Sequence, residues 1–136
     1  MTDKASVVRG PKDVVTKTRA WTRSMTTGTQ VATLPKGSRL LGFVVGGVAS
    51  DAQTTATLSI GNNATATQYV AAQDVKTAAA GAGPTLSAMV SGTFGSVVTV
   101  DTPIFFKYAE TGTAATVGGG FVDIRYSQSN IVNNDA

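Results

Sequence analysis

The sequence predicts an all-β protein, a jelly-roll-like β-sandwich or barrel of about eight short strands with an extended N-terminal arm. Three observations lead to this fold class. Ala, Val and Thr dominate the chain and aromatic residues are only 7% of it, which favours sheets because branching at Cβ restricts χ1 in a helix. Short apolar or alternating runs recur at roughly 8–12-residue spacing, with turn residues between them. No amphipathic helical pattern is long enough for a βαβ unit.

The first patterned segment covers residues 14–23, in which side chains alternate between two faces. Its large side chains share one face of an extended chain: Lys17, Arg19, Trp21 and Arg23. Three of these four residues are cationic. Such a face is poorly suited to the core of its own domain, because buried cations without partners are costly.

The basic character of the chain belongs to the same region. Residues 1–25 contain six Lys and Arg against two Asp, a net charge of +4, whereas the remaining residues carry a net −1 of the formal +3. We therefore predict a basic N-terminal arm over residues 1–25, a β-sandwich domain over residues 26–127 and a polar tail over residues 128–136. The residues predicted to bind a partner protein are Lys12, Lys17, Arg19, Trp21 and Arg23. The alternative is that this segment is the first strand of the domain, with Trp21 packed on its own sheet.

Further strands are predicted where apolar or alternating runs end at Gly, Pro, Asn or Asp. They cover residues 30–34, 39–48, 55–60, 68–72, 86–93, 97–100, 103–108 and 121–126. The near-continuous apolar run at 39–48 is expected at the centre of the core. The triplet Gly118-Gly119-Gly120 is expected to form a turn or bulge. It is not read as a phosphate loop, because a strand follows it where such a loop requires a helix.

The composition excludes most enzyme chemistry. The chain contains neither His nor Cys, so the commonest general base, the commonest metal ligand and the thiol nucleophile are absent. We predict no enzyme activity, no catalytic residue, no cofactor and no metal site. No apolar leader or membrane-length run follows Met1, so assembly in the cytoplasm, without a membrane partner, is expected.

Charged residues are 14% of the chain, against roughly 25% in an average soluble domain. A lightly charged surface suits burial against other proteins, including further copies of the chain. The basic arm with Trp21 is also compatible with single-stranded nucleic acid, because cations track phosphates and an indole stacks on a base. One aromatic residue and a net +4 make a small footprint for nucleic acid, so we predict a protein partner in preference to nucleic acid.

Several segments resemble small head-decoration proteins of tailed bacteriophages. The resemblance covers roughly residues 30–127 and leaves the N-terminal segment unmatched. It rests on residues 34–45 (LPKGSRLLGFVV), 57–62 (TLSIGN), 68–75 (QYVAAQDV), 111–119 (TGTAATVGG) and 121–126 (FVDIRY).

The resemblance implies a cement protein. It would be a structural virion protein with a jelly-roll-like unit on the capsid exterior, which bridges neighbouring major capsid protein subunits, resists internal DNA pressure and acts as a homodimer or homotrimer. The alternative is a head-fibre or tail-associated module that binds a host glycan. Glycan sites use exposed aromatic residues, and the positions of Trp21, Tyr69, Tyr108 and Tyr126 are scattered along the sequence.

Overall fold

Eight β-strands make up the regular structure of the residues that the structure describes. The computed structural model describes residues 13–49, 53–76, 85–114 and 118–128, and these contain no helix. No helix able to cross a membrane is therefore found within these ranges. The strands are β1 (Asp13–Thr22), β2 (Thr29–Leu34), β3 (Arg39–Ala49), β4 (Gln53–Gly61), β5 (Val70–Asp74), β6 (Thr85–Leu86), β7 (Thr102–Gly112) and β8 (Gly118–Gln128).

The strands form two antiparallel sheets of four strands each. The first sheet has the order β1-β8-β3-β6, and the second has the order β2-β7-β4-β5. The pairs β1 with β8, β2 with β7, β3 with β6 and β4 with β5 are those of one long antiparallel ribbon rolled into two layers. This is the strand order of a jelly roll. The predicted jelly-roll-like sandwich is confirmed, and the described strands do not close into a barrel.

The core lies between the inner faces of the two sheets. β7 shows how the sequence produces it, because its residues alternate between buried and half-buried from Thr102 to Tyr108, as expected for a strand with one face inward. The largest buried side chains come from both sheets: Trp21, Leu40, Phe43, Ile124 and Tyr126 from the first, and Leu34, Leu58, Ile60, Ile104, Phe106 and Tyr108 from the second. The apolar run at 39–48 lies in β3, an internal strand, as predicted.

The segment expected to be an arm contains the first strand of the sandwich. β1 pairs with β8 along its whole length, from Asp13 opposite Gln128 to Thr22 opposite Gly119. This geometry corresponds to the alternative interpretation of the segment. Because β1 belongs to the sandwich, the domain begins at or before Asp13 and not at residue 26 as expected. The large side chains do share one face, and that face is turned towards the second sheet. Residues 1–12 and the tail from residue 129 lie outside the described residues.

The structure also corrects the strands predicted at 86–93 and 97–100. Only Thr85 and Leu86 form a strand there, and Val97 makes one isolated bridge with Arg39. The intervening chain is irregular. Gly92 and Gly95 have φ angles of +85° and +79°, which a β-strand does not accommodate.

The glycine triplet at 118–120 belongs to β8 and is not the expected turn. The sequence suggests a turn because glycine is flexible, whereas here glycine permits a close approach of two strands. A Cβ on Gly120 would overlap the carbonyl oxygen of Gly46 on β3. Gly47 has a φ of +97°, which favours glycine at that position too. The two strands can therefore lie close together at this point.

Candidate protein-binding surfaces

Trp21 occupies the core of this fold. It is 0% exposed, its indole Nε1 donates a hydrogen bond to the Gly46 carbonyl at 2.9 Å, and its ring stacks on Tyr108 with 5.7 Å between centroids. Both the apolar ring and its polar N–H are thus satisfied inside the chain. Of the five residues predicted to bind a partner, Trp21 is therefore not accessible to one. Lys12 lies outside the described residues.

Lys17 and Arg19 reach across the open side of the sandwich, where the edge strands β1 and β2 face each other. Lys17 Nζ donates to the Thr33 carbonyl at 3.2 Å, and Arg19 Nε donates to the Val31 carbonyl at 2.9 Å. The Lys17 ammonium also lies 5.8 Å from the ring centroid of Tyr126, within cation–π range. Because both side chains are only half-buried and have acceptors, the expected cost of inward cations does not arise. Inward charges of this kind also protect an edge strand from unwanted pairing.

Arg23, the last of the predicted residues, has its partner on β7. Its Nε lies 3.8 Å from Glu110 Oε1, and the hydroxyl of Tyr108 donates to the same carboxylate oxygen at 2.7 Å. Burial, together with the hydrogen bond and charge of Glu110, raises the pKa of Tyr108 to about 12. All three described cations thus have partners within the chain. That they also anchor a second protein stays a prediction.

The outer face of the first sheet carries an apolar groove beside β3. The groove has a volume of about 260 Å³. Its lining residues are Leu41, Gly42, Leu86, Ser87, Met89 and Phe94. Leu86 and Phe94 are 64% and 69% exposed, far more than is usual for side chains of their size and hydrophobicity. Further exposed apolar residues follow in the same irregular segment at Val90, Val97 and Val100.

Two exposed arginines lie on the same outer face. Arg125 pairs in register with Gly42 in the groove, and Arg39 pairs with Ser127. Since Leu40 and Ile124 point into the core, their neighbours Arg39 and Arg125 point outwards. Arg39 donates to the Gly95 carbonyl at 2.6 Å. Within the described ranges, neither arginine forms an ion pair with a carboxylate.

The outer face of the second sheet has a different chemistry. The outward positions of β4 are Thr55, Thr57 and Ser59, and Thr55 shares a 2.6 Å hydrogen bond with Thr111 on β7. Lys107 adds a cation, and the outward ring of Phe105 is half-buried. The two outer faces therefore differ: one has an apolar groove with arginines beside it, and the other is rich in hydroxyl groups.

The sequence reasoning missed the groove because it assigned Leu86 and its neighbours to a strand. One signal was available in Ser91-Gly92-Thr93-Phe94-Gly95-Ser96. An aromatic residue between two glycines and two serines sits in a turn-forming context, where it cannot join a continuous core strand. Such an aromatic residue is a candidate for an exposed contact residue.

The described residues provide no metal centre, since no three of their Asp and Glu side chains cluster as ligands. Burial raises the pKa of Tyr69 as well as that of Tyr108, but both hydroxyls belong to residues of the core cluster.

No model of a known protein family matches the sequence, and no curated protein matches it. Among solved structures, the chain is similar to a chain of the "Cyanophage Pam1 capsid asymmetric unit", with a TM-score of 0.59 and 23% sequence identity. The likeness covers 93% of this chain and 97% of that one, so the two are of nearly equal length. At this identity the likeness establishes a shared fold.

Proposed function

We propose that the chain is a structural protein of a bacteriophage virion, which binds the outer surface of the capsid and cements neighbouring major capsid protein subunits. The observation that carries the proposal is the end-to-end likeness to a chain of a cyanophage capsid asymmetric unit. The resemblance of residues 30–127 to head-decoration proteins points the same way. One fold serves many functions. Likeness in fold therefore supports the proposal only together with a surface chemistry that is consistent with it.

The surface suits a protein that lies between other proteins. Burial of the apolar outer face of the first sheet against a capsid shell would remove Leu86 and Phe94 from water, which is favourable in proportion to the apolar area buried. The hydroxyl-rich outer face of the second sheet would remain in solvent. The proposed partners are the major capsid protein and further copies of the chain, as a dimer or trimer. The proposal includes no catalytic step, in keeping with a sequence that lacks His and Cys.

The glycan-binding alternative gains no support from the side chains. Sugar sites present aromatic rings to the faces of the sugar, whereas Trp21, Tyr69, Tyr108 and Tyr126 are all buried. Phe94 is the one large aromatic residue with a mostly exposed side chain in the described part of the chain. A single ring beside an apolar groove fits a protein contact better than a sugar site.

The test uses the phage that encodes the chain. Purified virions should contain the chain, and a cryo-electron microscopy reconstruction should show it on the outside of the head, in contact with at least two capsid subunits. Heads from a phage with the gene deleted should lack that density and release their DNA at a lower temperature, as followed with a DNA-binding dye. Supplying the wild-type gene from a plasmid should restore both properties.

Two results would contradict the proposal. Absence of the chain from purified wild-type virions would exclude a structural virion role. Heads that lack the chain but release DNA at the wild-type temperature would exclude cementing.

A further inference from the structure

We propose that the groove on the first sheet binds an extended segment of a neighbouring capsid subunit in which an apolar side chain stands next to a carboxylate. This inference rests on the proposed function and adds the chemistry of the partner. The groove is the one described above, lined by Leu41, Gly42, Leu86, Ser87, Met89 and Phe94.

The apolar half of the inference follows from size and lining. A cavity of about 150 Å³ lined by aliphatic and aromatic side chains is large enough to hold a benzene ring. The groove, at about 260 Å³, has room for one large apolar side chain with part of its main chain. Its depth depends on Gly42, since Leu86 Cδ1 lies 3.5 Å from where a Cβ of Gly42 would be. Any larger residue at this position would fill the space beside Leu86.

The polar half follows from the unbalanced charge beside the groove. Arg125 leaves the sheet directly next to Gly42, is exposed and has no ion pair with a carboxylate in the described structure. Arg39 lies on the same face. The carboxylate on this face, Asp123, accepts a 2.6 Å hydrogen bond from Thr18 on the far side of β8. Arginine binds carboxylates with two parallel hydrogen bonds, so an acidic group on the partner complements this surface.

Ser87 places a buried polar atom in the wall of the groove. It lines the groove, is 5% exposed, and its Oγ has no hydrogen-bond partner within the described ranges. A buried hydroxyl without a partner is unfavourable. The Oγ has almost no accessible surface, so a bound segment would reach it only after a shift of the groove wall.

The other possible occupants fit less well. A nucleic acid would bring phosphates for the arginines but no aliphatic side chain for the groove. A second copy of this chain offers Val100 beside Asp101 as an exposed apolar and acidic pair. The carboxylate of Asp101, however, already accepts a hydrogen bond from the Lys36 amide at 2.9 Å. The proposed occupant is a segment of a different subunit, because the proposed function places this face against the capsid shell, and a second copy is an outcome that the cross-linking experiment below distinguishes.

Binding of purified variants to heads that lack the chain tests the inference. Phe94→Ser should weaken binding about 30-fold, the loss expected for an interface anchor. Its matched control is Val100→Ser, which removes an apolar side chain of similar exposure outside the groove. Arg125→Glu should weaken binding about 10-fold and reduce its dependence on salt, because a charge pair is lost. Its control is Lys107→Glu on the opposite sheet. Circular dichroism should show all four variants folded.

Photo-cross-linking identifies the occupant. With p-benzoylphenylalanine in place of Phe94, irradiation of chain bound to heads should attach it to a capsid subunit. Mass spectrometry should place the cross-link in a segment with Asp or Glu within three residues of a large apolar residue.

The outcomes separate the two proposals. If the wild-type chain fails to bind heads, the proposed function fails and this inference falls with it. If the wild type binds and the groove variants bind as well as their controls, the inference alone is overturned. It is also overturned by a cross-link to a second copy, to nucleic acid or to a segment without a carboxylate.

Discussion

Replacing Trp21 by Ala should destabilise the domain severely, because this side chain is part of the core. Trp21 is 0% exposed, stacks on Tyr108 and donates to the Gly46 carbonyl. A buried indole removes roughly 200 Å² from water, worth about 5 kcal/mol at about 25 cal/mol per Å², and Trp→Ala changes in cores cost about 3–5 kcal/mol. Domains of this size have roughly 5–15 kcal/mol of stability, so the loss is a large part of the total.

Urea unfolding followed by far-UV circular dichroism measures the effect. With a slope of about 1–3 kcal/mol per molar urea, the midpoint for Trp21→Ala should fall by about 2 M. Val14→Ala is the matched control on the same strand, since Val14 is 62% exposed, and its free energy of unfolding should change by no more than about 0.5 kcal/mol, as is usual for surface changes. In the wild-type chain, acrylamide should quench the fluorescence of Trp21, the single tryptophan, only weakly.

An unchanged midpoint for Trp21→Ala would refute this reasoning. If the same variant also lost binding to phage heads, the interpretation of the N-terminal segment as an intermolecular arm would be correct. Deletion of residues 1–25 gives an independent check, because removal of β1 should prevent folding if the strand belongs to the domain.

Three further predictions follow from contacts of β1, β7 and β8. Arg19→Met removes the hydrogen bond to the Val31 carbonyl and should lower the free energy of unfolding by about 1 kcal/mol in urea titrations; no change would show that the bridge between β1 and β2 is dispensable. Gly120→Ala should yield little folded protein on size-exclusion chromatography, because the new Cβ would overlap the Gly46 carbonyl, and normal folding would contradict the close approach of β3 and β8. The raised pKa of Tyr108, about 12 against an ordinary 10, means that the folded state holds this proton more tightly, so its contribution to stability is complete below pH 10 and is lost as the pH rises towards 12. Tyr108→Phe should therefore lose less stability than the wild type in urea titrations between pH 10 and 12, and an equal loss would contradict the shift.

Much of the fold could be predicted from local pattern. β3 and β7 are strands because their apolar residues run or alternate over enough positions to fill one face of a sheet. Their ends coincide with turn residues, such as the Pro35-Lys36-Gly37 sequence between β2 and β3. These signals are short in range, so the sequence shows them directly.

The position of β1 in the fold could not be predicted from local pattern. Alternation showed that Lys17, Arg19 and Trp21 share a face, but not which surface that face meets. These three side chains contact main-chain carbonyls of β2, the carbonyl of Gly46 and the ring of Tyr108. All of these partners are distant in sequence. Main-chain carbonyls are present at every residue, so the sequence does not mark which of them will act as acceptors. A cation is tolerated on an inward face when main-chain acceptors lie at the open edge of a sandwich, and nothing in the local sequence shows where that edge will be.

The groove as a whole could not be predicted from local pattern either. It brings Leu41 and Gly42 of β3 together with Leu86 of β6 and with Phe94 from an irregular segment. Apolar residues at 86–100 suggest strands because period and hydrophobicity do not distinguish a buried position from an exposed one. Only the rolled arrangement of the ribbon, which puts the two-residue β6 beside β3, leaves these side chains on the outside.

The position of β8 has a consequence for how this protein is made. β8 is the last of the described strands in sequence, yet in the first sheet it lies between β1 and β3. Until β8 has left the ribosome, β1 has no neighbour in its sheet. Trp21 then lacks the strand that carries Gly120, its partner in the sheet. Pairing of Asp13 with Gln128 closes a loop of almost the whole chain, and contacts of such long range form slowly. The first sheet can therefore be completed only after β8 has been synthesised. Before that, β1 is an unpaired strand, and at high levels of expression the β1 strands of incomplete chains could pair with one another.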